Sequence, residues 1–162
     1  MKSPSLDFFE MLRVLSHHKV DYIVVGGVCG VFHGAPLTTY DLDIVRLCEP
    51  QNNLRILDAL TELDGHSRLH QQIIRPNESH LAAKGHLLLA TSFGPLVILA
   101  TAGAGHDFAD LAKGSVTGTI RDVSFLMLDL QTLIQTKEEA GRDKDKIALP
   151  ILRALQEQRR KQ

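Results

Sequence analysis

Two aspartates two residues apart, Asp41 and Asp43, carry the chemistry of this sequence. They stand in the run Thr39-Tyr-Asp-Leu-Asp-Ile-Val45. Side chains two apart in a strand share a face, so both carboxylates project together while Leu42 and Ile44 turn to the core. Paired carboxylates make a cradle for a hard divalent cation, and magnesium commonly shares its coordination with substrate phosphates. Upstream, Tyr22-Ile-Val-Val25 is an apolar, β-branched run that stops at Gly26-Gly27. That is the pattern of a short interior strand ending in a sharp turn. Glycines there let the chain turn and let a ligand approach the backbone. A corner that leads into a helix start also offers N–H groups to an anion. Strand, glycine corner, helix and acid-bearing strand, in that order, point to a metal-bound nucleoside triphosphate. Each half alone is ordinary, since most Asp-x-Asp pairs are solvated strand ends and most Gly-Gly pairs are turns.

The rest of the chain supplies the elements that must position these residues. Ser5 is expected to cap a first helix, with Asp7 and Glu10 in its first turn. Phe8, Phe9, Leu12 and Leu15 form its apolar stripe, and it ends near His17-His18-Lys19. Those histidines suit the negative end of the helix dipole better than a metal. After the corner, Val28 to His33 reads as one or two helical turns, stopped by Gly34 and Pro36. Pro50 opens another helix, with Leu54, Ile56, Leu57, Leu60 and Leu63 as its stripe and Asp64-Gly65 as its end. Between 66 and 85 periodicity fades; a short strand over Gln71 to Arg75 and a turn at Asn77-Glu-Ser79 are the expectations. His66, His70, His80 and His86 fit no compact zinc motif and are read as surface or substrate-side residues.

A hairpin follows, His86 to Thr91 and Leu96 to Thr101 around Ser92-Phe-Gly-Pro95. Gly103-Ala-Gly105 is a turn before a short helix, Asp107 to Ala112. Val116 to Ile120 and Val123 to Leu128 read as strands around Arg121-Asp122. Asp129 caps a helix over Leu130 to Ala140 that Gly141 ends. Leu130, Leu133, Ile134 and Lys137 share one face of it. A lysine there either snorkels past the core's edge or aims a cation at substrate phosphates. The last helix carries Ala148, Ile151, Leu152 and Leu155, and Pro150 either begins it or kinks it.

Gly26-Gly27, His33-Gly34 and Thr39-x-Asp41-x-Asp43 together resemble the nucleotidyltransferase superfamily with the DNA polymerase β-like fold. The run Leu133-Ile-Gln-Thr-Lys137-x-x-x-Gly141-Arg142-x-Lys144-Asp145 resembles the second half of the same family. The similarity is greatest to small bacterial members associated with toxin–antitoxin systems, and it covers about residues 20–155. The resemblance implies an α/β (α+β) fold, a small mixed sheet with helices mainly on one face. It implies magnesium on Asp41 and Asp43, and a nucleoside triphosphate held by Gly26, Gly27, Thr39, Lys137 and Lys144. It implies transfer of a nucleoside monophosphate to a hydroxyl of RNA or protein, and a toxin–antitoxin partner. Two departures stand out. Gly27 takes the place of a serine found in many members. Val97, in Gly94-Pro-Leu-Val97, takes the place of an aspartate on a strand beside the Asp-x-Asp strand. Two catalytic ions about 4 Å apart need more than two carboxylates. The alternative is therefore a catalytically inactive nucleotide- or protein-binding module of a toxin–antitoxin pair.

At 162 residues, one domain spanning 1–162 is the expectation. A net charge of -1 gives no global footprint for nucleic acid, and only Arg159-Arg-Lys161 is locally basic. Cys29 and Cys48 are too few for a disulfide scaffold, which suits a reduced, cytoplasmic chain. No apolar run approaches membrane-spanning length, so no membrane partner is expected.

Overall fold

The computed structural model describes residues 6–162. Ser5, expected as the first cap, lies outside them. Asp7 caps α1 (Phe8–His17) instead, its carboxylate accepting from the Glu10 backbone N–H at 3.1 Å. His18 follows α1, with Nε2 2.9 Å from Glu62 Oε1.

Next come β1 (Tyr22–Val25), α2 (Gly26–Phe32), β2 (Leu42–Arg46) and α3 (Pro50–Glu62). Then β3 (His66–Ser67), α4 (Glu78–Ala82) and the hairpin β4 (Leu87–Thr91) and β5 (Gly94–Leu99). The chain closes with α5 (Phe108–Ala112), β6 (Ser115–Ile120), β7 (Val123–Leu128), α6 (Leu130–Ala140) and α7 (Asp143–Arg160). The strands form one seven-stranded mixed sheet ordered β3-β4-β5-β2-β1-β7-β6. Among the described residues, only β1/β7 and β2/β5 run parallel. No helix among the described residues is long and apolar enough to cross a membrane.

Register assigns the two faces. Val24 lies opposite Ile44, and Val25 opposite Asp43. Leu42 and Ile44 pair with Leu96 and Ile98, and all four are completely buried. Burial of such side chains stabilises by about 1.5–3 kcal/mol each. Their face is the helix-covered one. The Tyr22 hydroxyl lies 2.8 Å from that of Ser16 in α1, and Arg46 donates to Asn53 in α3 and to the Leu81 carbonyl in α4. Asn52 of α3 ties the strand ends together, donating to the Asp21 and Leu47 carbonyls and accepting from the Asp21 N–H. The opposite face, bearing Asp43 and Val97, opens into a cavity.

Three expectations need correction. Gln71 to Arg75 form no strand; the chain leaves β3 for an irregular excursion. Asn77 caps α4 rather than making a free turn, with the His80 N–H donating to its side chain at 3.1 Å. Leu54 is 43% exposed, because α3 buries Asn52, Ile56, Ala59 and Leu60 instead. Of the two positions open to Pro150, the start of the last helix or its interior, the structure has the interior: it lies inside α7, where its missing N–H removes one helical hydrogen bond.

Candidate functional site

The glycine corner is built for close approach. Gly26 has φ +68°, a conformation that L side chains avoid. A Cβ on it would lie 2.5 Å from Asp43 Oδ2, so the backbone of the corner and the carboxylate are in contact. Gly27, second residue of α2, lies against Thr39, and a Cβ on Gly27 would lie 2.7 Å from Thr39 Oγ1. The threonine hydroxyl, which donates to the Asp41 carbonyl at 3.4 Å, therefore fills the space a serine at 27 would need.

Two cavities meet at this corner. The first, about 540 Å³, is lined by Arg68, His86, Leu88, Val97, Leu99 and Thr101, among others. The second, about 470 Å³, is lined by Gly27, Pro36, Thr38, Thr39, Tyr40 and Ile151, among others. Gly26, Asp41, Asp43, Lys137, Arg142 and Lys144 border both. The arrangement has a charged waist between two compartments. Asp41 and Asp43 stand where the two compartments meet.

The two carboxylates differ in environment. Burial pushes Asp43 up to about 6, with Asp41 adding to the rise and Lys144 opposing it. Asp41 is more open, with a side chain 38% exposed, and it faces the Arg68 guanidinium at 3.4 and 3.5 Å. Both carboxylates border the same space, a pair that would suit one hard cation sharing its coordination with phosphate oxygens and water. They do not suit two. Val97 lies directly opposite Asp43, on the same face, where a third acid would have to stand. Among the described residues no group of three His, Cys, Asp or Glu side chains is placed to hold a metal.

Lys137 lines the waist from α6, yet it is buried, and its Nζ donates to Asp145 Oδ1 at 3.2 Å. Asp145 is fully buried at the start of α7 and also accepts from Arg142 Nε at 2.8 Å and from the Arg142 N–H at 3.2 Å. Burial alone would raise the Asp145 carboxyl, but the Arg142 hydrogen bonds and the Lys137 ammonium hold it below its ordinary value. Lys137 is thus tied to α7 as well as turned to the cavity. Lys144 and the Arg142 guanidinium complete the positive rim.

The sequence reading missed Arg68 and the roles of Arg142 and Asp145. Arg142 and Asp145 carry a local signal, since Asp145 is the third helical residue of α7 and reaches back to cap Arg142. Arg68 carries none; only the pairing of β3 with β4 delivers it. Of the four histidines between 66 and 86, His86 lines the first cavity. His66, His70 and His80 bond locally, to the Asp64 carbonyl, the Ser67 hydroxyl and the Asn77 N–H.

No protein-family profile matches the sequence, and no curated protein matches it. Solved structures do. TM1012 of Thermotoga maritima, provisionally assigned as a nucleotidyltransferase, is 17% identical with a TM-score of 0.56. That match covers 87% of this chain and 86% of that one. The lincosamide antibiotic adenylyltransferase LnuA, bound to lincomycin, is 15% identical with a TM-score of 0.63, covering 93% of this chain and 99% of that one. At these identities the likeness is one of fold, and the chain has the nucleotidyltransferase fold.

Proposed function

We propose that this chain binds a magnesium-complexed nucleoside triphosphate at the Gly26-Gly27 corner and transfers its nucleoside monophosphate, slowly, to a hydroxyl. The contact between the Gly26 backbone and Asp43, at the waist between two compartments, carries the reading. The likeness to an adenylyltransferase and to a second nucleotidyltransferase-type structure supports it. The acceptor is a hydroxyl of RNA or protein, and the partner is the second member of a toxin–antitoxin pair.

The residues divide the work by charge. Asp41 and Asp43 hold the cation, which neutralises the triphosphate. Backbone N–H groups at the start of α2, with the Thr39 hydroxyl in place of the missing serine, receive phosphate oxygens. Lys144, with Lys137 and Arg142 behind it, balances the remaining negative charge. In the transfer, the acceptor oxygen bonds to the α-phosphorus and the bond to the bridging oxygen breaks, so that pyrophosphate leaves with the electron pair. Val97 cannot take the acceptor's proton, which passes to water in the open cavity. Loss of a general base typically costs about 10²–10⁴ in rate.

Val97 also favours a second reading, a binding module that holds the nucleotide or a protein without transfer. Calorimetry with triphosphate and magnesium separates binding from turnover. A labelled-transfer assay on the unmodified chain and on Val97→Asp then measures the chemistry. Binding with weak transfer, improved in Val97→Asp, is the expected result. No triphosphate binding would overturn the proposal in favour of the protein-binding module. Robust transfer by the unmodified chain would mean that another group takes the proton, with His86 the first to test.

A further inference from the structure

One row of residues crosses β2, β5 and β4 on the open face and ends just past β3. Asp43 on β2 lies opposite Val97 on β5, and Val97 lies opposite Leu88 on β4. Arg68, just past β3, completes the row by donating its N–H to the Leu88 carbonyl at 3.1 Å. Residues directly opposite one another in a sheet project to the same face. Arg68 therefore starts on the cavity side, two strands from the acids. Its guanidinium reaches Asp41, with Nη1 3.5 Å from Oδ1 and Nη2 3.4 Å from Oδ2, in the cavity that Leu88 and Val97 also line.

The guanidinium thus borders the first cavity beside Asp41, a cavity that Val97, whose side chain cannot ligate metal, also lines. We infer that the Arg68 guanidinium takes the place of a second divalent ion, so that this site works with one metal ion and one fixed organic cation. The inference builds on the triphosphate-binding reading above but depends on a different observation, the Arg68–Asp41 pair over an apolar floor.

Three features agree with it. An uncharged floor suits the stem of an arginine, whose methylenes pack on apolar surface while its head stays wet. Arg68 fits this, its side chain being 28% exposed. A third acid at 97 would hold the guanidinium to itself, or bind metal and repel it; valine does neither. Finally, a guanidinium is planar and permanently charged, and it donates two parallel hydrogen bonds to a carboxylate. It can hold Asp41 and still offer N–H donors to the acceptor's oxygen. It cannot accept a proton, which is consistent with slow transfer.

The test is a count of bound ions rather than a rate. Manganese binding is measured by electron paramagnetic resonance with α,β-methylene-ATP present, on the unmodified chain, Arg68→Ala and Arg68→Ala/Val97→Asp, with circular dichroism to check folding. The unmodified chain should bind no more than one ion, and the double variant should bind one more than it does. Arg68→Ala alone leaves the core intact. It should tighten manganese binding without nucleotide about two- to fivefold, because a competing cation of exposed salt-bridge strength has gone. Two ions on the unmodified chain would overturn the inference. So would Arg68→Ala binding metal no more tightly, or a folded double variant gaining no ion. A chain that binds no ion beside the nucleotide, but whose variants gain one, would refute the triphosphate reading and leave Arg68 in the cation's place.

Discussion

Replacing Asp43 with asparagine should make the protein more stable at neutral pH, although it dismantles half of the proposed cation cradle. Burial pushes the Asp43 carboxyl from 3.8 up to about 6. An acid with a higher pKa in the folded than in the unfolded state binds its proton more tightly when folded. Between the two values the native state keeps a proton that the unfolded chain has lost, so stability falls as pH rises through that window. Below about 3.8 the penalty is absent; above about 6 it is complete. Two pH units at about 1.4 kcal/mol each give about 3 kcal/mol. Against a typical total of about 5–15 kcal/mol, that is a large fraction. Asparagine has nearly the same shape and no charge, so it removes the penalty. On the proposed reading a divalent cation would offset the same penalty in the unmodified chain, because it would bind the ionised form. Urea unfolding of both proteins at pH 4 and pH 8, with and without excess magnesium, tests this. Asp43→Asn should be more stable by about 1–3 kcal/mol at pH 8, and the gap should close toward pH 4. Magnesium should stabilise only the unmodified chain. If Asp43→Asn is the less stable protein at pH 8, the carboxylate makes a stabilising contact and the burial argument fails.

Two further outcomes follow from the corner and its support. Gly27→Ser should destabilise by about 1–3 kcal/mol, because its Cβ meets the Thr39 side chain at 2.7 and 3.0 Å. Thr39→Ala in the same chain, which removes the Oγ1 at 2.7 Å and keeps the Cβ at 3.0 Å, should restore part of that loss in a thermal melt; no rescue would mean that the crowding lies elsewhere. Lys137→Met should cost about 3 kcal/mol in urea unfolding by leaving the buried Asp145 with Arg142 alone. If Lys137→Met lowers triphosphate affinity without a stability cost, the ammonium serves the ligand rather than the link from α6 to α7.

Much of the organising stretch was legible from residue types because its determinants are local. The glycine corner, the Asp129 cap of α6 and the left-handed Gly141 at its end each depend on neighbours within a few positions. The spacing of Asp41 and Asp43 likewise dictates a shared face wherever the strand lies, and both line the same two cavities. The missing acid at 97 was also legible, since a hydrophobic strand shows a valine plainly.

Tertiary structure decided what those groups meet. Lys137 read equally well as a snorkelling lysine and as a phosphate ligand, because helical periodicity specifies the face but not the partner. The fold sets Asp145 against it. Leu54 belongs to a plausible stripe, yet the surface available to α3 accepts Asn52 and Ile56 instead. Arg68 had no local signal at all. It sits at the edge of a two-residue strand, in a stretch with little periodicity, and gains its place only when β3 pairs with β4 and β4 with β5. Hydrogen-bonded register couples residues far apart in the chain, and one row of that register carries a cation across two strands to Asp41. Local patterns record which residues bear charge; the closing of the sheet determines which opposite charge each one faces.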